Sequence, residues 1–259
     1  MQALRIDFHA HLYDVYPVRT WCLAAIANLQ LRSDIGGVLV VVDREGQDSF
    51  ARLKREVVQF GSFMERPTAQ GNAEQALLAE VVVEGKTLFI LRGVQYVSAE
   101  KLEVLGLGVA RSVPDGLSCF EILQLITEQD GIPCLPWSPG KWLGARGKIV
   151  AKALAEYGGS SLTFGDIAIR SRIGPPSLLL SRARRSGFPV LCGTDPLPRK
   201  QDSELVGSYG AEIRLVGPAG VQSFVSAPKA FLVNQINKIR PWGGPNGPFT
   251  SLQRFISSL

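Results

Sequence analysis

The sequence predicts an α/β fold, a single domain built as a closed or nearly closed β/α barrel. Three observations point there. Short apolar runs alternate with helical stretches six or seven times along the chain. Such alternation builds a mostly parallel sheet covered by helices. Polar residues gather at the predicted strand ends, which is where a β/α barrel carries its site. The first strand leads into histidines rather than into a glycine-rich loop. An open doubly wound sheet, the competing arrangement, carries that loop after strand one.

The elements follow in order. Residues 4–9 read as the first strand. Residues 17–31 read as a helix, with Pro17 suited to its first turn and Trp21, Ala24 and Ala25 on an apolar face. Residues 38–42 are a continuous apolar run, as expected of a strand buried on both faces. A second helix is predicted over 47–60. Residues 61–71 read as irregular, and 73–83 as helical at first with no clear pattern after. Residues 87–93 form a third buried strand, and 101–107 a short returning one. Ser118 and Glu121 make a capping box for a helix over 118–129, closed by Gly131. Residues 132–136 are the fourth core strand. A loop with Trp137, Lys141 and Trp142 follows, its tryptophans expected to close the barrel mouth. Helices at 146–157 and 177–186 alternate with strands at 161–169 and 189–192. A last strand at 211–216 and two modest helices, 220–226 and 229–239, complete a domain over 1–240. The Gly- and Pro-rich stretch from Pro241 to Pro248 opens a loose tail over 241–259.

Composition narrows the function classes. The chain is 46% apolar and 20% charged, enough for a full core. Its net charge of +5 suits a small anionic ligand better than nucleic acid. The basic run of Arg182, Arg184 and Arg185 lacks interleaved aromatics and reads as a solvated helix face. Cys22, Cys119, Cys134 and Cys192 are scattered and read as reduced thiols. The opening residues lack the pattern of a secretory signal, and no apolar run reaches the ~18 residues of a membrane span. The expectation is a cytoplasmic protein without a membrane partner.

The chemistry centres on Asp7-Phe8-His9-Ala10-His11, which holds the only two histidines of the chain. On a strand, residues two apart share a face, so Asp7, His9 and His11 are expected to point one way. Two imidazoles so placed can share one metal ion. Asp43, Gln95, Ser138, Asp166 and Asp195 also fall at predicted strand ends. Arg92, Lys141, Arg170 and Arg172 lie at or just past such ends and form a candidate basic rim for phosphate or carboxylate.

Asp7-Phe8-His9-Ala10-His11, then Leu91-Arg92-Gly93-Val94-Gln95, Glu103-Val104-Leu105-Gly106-Leu107, the 131–140 turn and Gly193-Thr194-Asp195 resemble, in order and spacing, the PHP superfamily of metal-dependent phosphoesterases. The resemblance covers about three quarters of the chain. It implies a (β/α)7-type barrel, related to the TIM barrel, and a metal-dependent hydrolase. Four positions depart from the family pattern. Gln95 stands for a glutamate ligand, Glu103 for a histidine, Ser138 for a histidine, and Leu197 for the histidine after the aspartate. What is left implies one divalent ion, zinc or manganese, on His9, His11 and Asp195 with Glu103 as a further candidate. Asp195 is also the candidate proton acceptor. Two functions remain open at this point: a phosphoesterase-like hydrolase with a reduced metal site, and a barrel that kept the fold for binding or assembly.

Overall fold

The computed structural model describes residues 2–33, 35–67, 76–110, 116–169, 177–215, 219–235 and 238–244. Its centre is a run of parallel strands. β1 (Gln2–Ala10), β2 (Ile35–Asp43) and β5 (Lys86–Val97) lie side by side, with Ile6 opposite Val38 and Val40 opposite Leu91. The first half of β5 pairs antiparallel with β4 (Leu78–Val83), which also carries β3 (Gly61–Arg66). Its second half pairs antiparallel with β6 (Glu103–Leu107). Next comes β7 (Ile132–Pro136), antiparallel to β6, then β8 (Thr163–Ile167) and β9 (Val190–Gly193) in parallel. On the other edge of β1 run β10 (Tyr209–Leu215) and β11 (Arg240–Gly243), both antiparallel to their neighbours.

The sheet curls until β9 returns to β1, giving a mixed α/β fold around a nearly closed barrel. Residues Gln2 to Ile6 spend their free edge on β10, so β9 meets only the last part of β1. There the amide of Asp195 donates to the carbonyl of His9 at 2.7 Å. The approach is so close that a Cβ on Gly193 would lie 2.5 Å from the His9 amide nitrogen. Glycine is required at that position.

Leu4, Ile6, Phe8, Val38, Val40, Val42, Leu91, Leu105 and Leu191 fill the interior. Phe224 of α6 (Ala219–Ser226) and Phe231 of α7 (Pro228–Gln235) pack against them. Outside, α1 (Val18–Asn28) and α2 (Ser49–Val57) bury Trp21, Phe50 and Leu53 against Leu39 and Val41. Thus β2 is apolar on both faces, which is why its sequence shows no alternation. α3 (Cys119–Glu128), α4 (Gly144–Glu156) and α5 (Leu178–Arg185) cover the other flank. α3 starts with the expected box: Ser118 Oγ accepts from the Glu121 amide at 3.3 Å, and Glu121 Oε2 accepts from the Ser118 amide at 2.7 Å.

Several expectations are corrected. The strand count is not that of a (β/α)7 barrel. Among the described residues β1, β2, β5, β7, β8 and β9 run one way around the wall, and antiparallel β6 and β10 are built into it. Residues 78–83, the part left open after a helical start, form a strand, and 73–75 lie outside the described residues. Leu78 faces the interior while Ala79, Val81 and Val83 face α1 and α2, so both faces are apolar and periodicity cannot separate strand from helix. β3 escaped notice because it is an edge strand, mostly exposed, with no apolar stripe to read. Trp142 does not close the barrel mouth. It packs edge-on against Phe164, 5.8 Å between centroids, in the outer helical layer. Pro241–Gly243, read as loose, belong to β11. No helix among the described residues is long and apolar enough to cross a membrane.

Candidate metal centre

β1 slips register between Asp7 and Ala10, and the two histidines emerge at that irregularity. The main chain around them is fixed from several sides. The carbonyl of His11 accepts from Trp21 Nε1 at 3.0 Å. The following loop is held by Arg52 of α2, which donates to the carbonyls of Tyr13 at 2.8 Å and Tyr16 at 2.6 Å. The Tyr13 ring stacks on His11 with centroids 4.9 Å apart. From the neighbouring strand where the barrel closes, the turn after β9 brings Asp195 in the left-handed region, φ 43°. That conformation is uncommon for a residue with a Cβ but more accessible to aspartate than to most.

These constraints bring three ligand atoms together. His9 Nε2 and His11 Nε2 lie 3.2 Å apart. Asp195 Oδ1 is 3.5 Å from the first and 3.6 Å from the second. A tetrahedral shell with bonds of ~2.1 Å has edges of ~3.4 Å, and the three observed edges scatter about that value. Gln95 Oε1 is 3.4 Å from His9 Nε2, a fourth edge of the same size. Among the described residues no other group of three or more His, Cys, Asp or Glu side chains converges in this way. Both histidines are buried, while Asp195 keeps 19% of its side chain exposed. The donors therefore fit one ion with an open side.

The electrostatics favour ligation at His11. Burial holds His11 below the usual imidazole pKa, reinforced by the charges of His9 and Arg44 and opposed by the Asp195 carboxylate. Its ring thus stays neutral, as a metal ligand must. One feature of known sites is lacking. Ligating histidines usually donate their other ring nitrogen to an acceptor, yet Nδ1 of both His9 and His11 is buried without a hydrogen-bond partner.

Asp7 does not join the histidines' ligand atoms. It is a fully buried clamp that accepts from the amides of Thr194 at 2.9 Å, Gly207 at 3.0 Å and His9 at 3.1 Å, and from the Thr194 hydroxyl. Burial pushes its carboxyl above the ordinary carboxylate range, against the pull of those donors. Asp7 thereby ties the end of β1 to the turn that carries Asp195. Leu197 has a related duty: its carbonyl accepts from the Tyr16 hydroxyl and its amide donates to Asp202 at 3.1 Å. The loops bearing His11 and Asp195 are locked together.

Glu103 is engaged elsewhere, paired with Lys141 Nζ. Arg92 donates to the Ala76 carbonyl at 2.8 Å and to Asp48 at 3.2 Å, and stacks on Phe50. Asp166 is buried and accepts from Arg184 and the Tyr209 hydroxyl, each at 2.9 Å; Arg184 is therefore a strut and not merely a solvated charge. Cys192 is buried, as expected of a small apolar residue in a strand. Arg170 and Arg172 lie outside the described residues. The sequence reading overlooked Arg52 and Arg44. Arg52 carried no signal; Arg44 directly follows Asp43 at the exit of a buried strand, which is a barrel-site position.

The chain matches no family model, and no curated protein matches it. Solved structures do. The chain is similar to PsfC from Pseudomonas syringae PB-5123 at a TM-score of 0.57 and 15% identity, over 100% of both chains. That likeness defines the shared fold. It is also similar to the lesion-specific endonuclease PfuEndoQ from Pyrococcus furiosus, at a TM-score of 0.49 and 10% identity, covering 93% of this chain and 58% of that one.

Proposed function

We propose that this protein is a metal-dependent hydrolase of the PHP kind, with a reduced, single-ion site acting on a small anionic substrate such as a phosphate ester. The observation that carries the reading is the convergence of His9 Nε2, His11 Nε2 and Asp195 Oδ1 within 3.2 to 3.6 Å. The order of the PHP-like motifs along the chain supports it. His9, His11 and Asp195 would hold one divalent cation, zinc or manganese, with the Gln95 carbonyl beside them. When bound, such an ion lowers the pKa of a coordinated water and polarises a substrate oxygen.

The chain's own residues do the rest. His9 and His11 are held by a clamped main chain, so little reorganisation is needed to bind. Asp195, with 19% of its side chain exposed, is the candidate to take a proton from an attacking water. The barrel wall excludes water from the histidine side of the site. Glu103 does not take part in this scheme, because Lys141 holds its carboxylate.

A second reading, a barrel kept for binding or assembly, is favoured by the unpartnered Nδ1 atoms of both histidines. The deciding experiment is metal content, after purification without a chelating tag, and melting temperature with added zinc or manganese for native protein, His11→Ala and Asp195→Asn. At a hundredfold excess over Kd a ligand stabilises by ~2.7 kcal/mol, or roughly 5–11 °C for a chain of this size. Only the native protein should show that rise. If all three respond alike, or none binds metal, the hydrolase reading fails and the second takes its place.

A further inference from the structure

Where β2 and β5 end lies a cleft of about 170 Å³. It is smaller than the ~300–1,000 Å³ typical of drug-sized sites, so it suits one compact group. Five charged residues line it: Asp43, Arg44, Glu45, Asp48 and Arg92. Three of them are already engaged. Asp43 accepts from the amide of Ser49 at 3.1 Å and from its hydroxyl. Asp48 caps α2 by accepting from the Ala51 amide at 3.0 Å, and pairs with Arg92. Arg92 is further pinned by the Ala76 carbonyl and the Phe50 ring.

Arg44 is different. Among the described residues its guanidinium makes no ion pair; it lies over the Tyr13 ring, 5.3 Å from the centroid. Its main chain is fixed by Gln47, whose Oε1 accepts from the Arg44 amide at 3.1 Å and whose amide donates back to the Arg44 carbonyl at 3.0 Å. Tyr13 in turn stacks on His11. A positioned cation with its hydrogen-bonding fork unspent therefore stands one aromatic ring away from the candidate metal centre. The planar fork matches a phosphate or carboxylate oxygen pair, and the ring face holds the guanidinium in place without occupying its donors.

We propose that Arg44 is the anion-binding residue of this protein, holding a phosphate-like group of the substrate in the cleft where β2 and β5 end. The proposal rests on the hydrolase reading only for the word substrate; the anion site itself needs no metal. Asp43, Glu45 and Asp48 are opposing charges in the same cleft; the first and last are engaged by Ser49, Ala51 and Arg92, and Glu45 weakens anion binding there.

The test is calorimetric titration of inorganic phosphate at low salt, where screening is least. Native protein, Arg44→Gln and Glu45→Gln are each measured once in chelator and once after zinc loading. Arg44 is exposed, and a melting curve checks that each variant folds. Native protein should bind phosphate in chelator, Arg44→Gln should bind at least about tenfold more weakly, and Glu45→Gln more tightly, with Arg44→Lys restoring part of the loss. Equal phosphate affinity for native and Arg44→Gln, or no native binding at millimolar phosphate, overturns the proposal. Because the chelator arm holds no ion, a loss confined to Arg44→Gln there supports the anion site even where zinc fails to bind. Zinc binding without phosphate binding leaves the metal centre standing and removes Arg44.

Discussion

Replacing Asp7 with alanine tests whether the site depends on the clamp beneath it. The carboxylate accepts three main-chain amides, those of His9, Thr194 and Gly207, at 2.9 to 3.1 Å, in a place with no exposure. Alanine leaves all three donors buried without an acceptor. Each such orphan costs about 1–3 kcal/mol. We take the low end, because removal of a buried charge offsets part of the loss. The expected destabilisation is about 3 kcal/mol, or a fall of roughly 6–12 °C in melting temperature for a chain of this size. The same change should weaken zinc binding, although Asp7 is no ligand, because its amide partners flank His9 and Asp195. Differential scanning calorimetry gives the first quantity and zinc titration of the folded variant at low temperature the second. A melting temperature within about 2 °C of native, or unaltered zinc affinity in a destabilised variant, would refute the reasoning.

Two further outcomes follow from the same geometry. Gln95→Glu places a carboxylate where an amide oxygen now lies 3.4 Å from His9 Nε2; zinc affinity should rise by about tenfold, while the metal-free protein melts lower because Asp195 gains a like-charged neighbour. Unchanged zinc affinity would remove Gln95 from the site. His11 has its folded pKa below the imidazole value of the unfolded chain. Below about pH 6.5 the unfolded chain therefore takes up a proton that the folded one resists, and stability falls as pH drops. Melting of metal-free protein between about pH 7.5 and about pH 5 should show this decline, and His11→Gln should show a shallower one.

How far the sequence alone reached is clearest at particular residues. The run Val38–Val42, the capping box at Ser118 and Glu121, and the returning strand at Glu103–Leu107 were all legible, because each depends on neighbours in the chain. So were His9 and His11, the only histidines present, and Asp195 behind its Gly-Thr turn. The edge strand β3 and its partner β4 were not, since an exposed strand and a strand apolar on both faces lack the alternation that marks a half-buried one.

Local pattern determined that this chain makes a helix-covered sheet with two imidazoles at the end of its first strand, while the sheet itself is mixed and not mostly parallel. Tertiary structure alone decided what those imidazoles meet. Asp7, two residues from His9, was expected beside the histidines, yet a register slip in β1 turned it into a clamp on Thr194 and Gly207. Glu103, read as a further ligand, went to Lys141, and the cation of the β2–β5 cleft without an ion pair among the described residues proved to be Arg44. Each outcome rests on pairings between residues tens to hundreds of positions apart. Which of several equivalent carboxylates or guanidiniums finds a partner depends on how the sheet closes, and spacing along the chain carries no record of that closure.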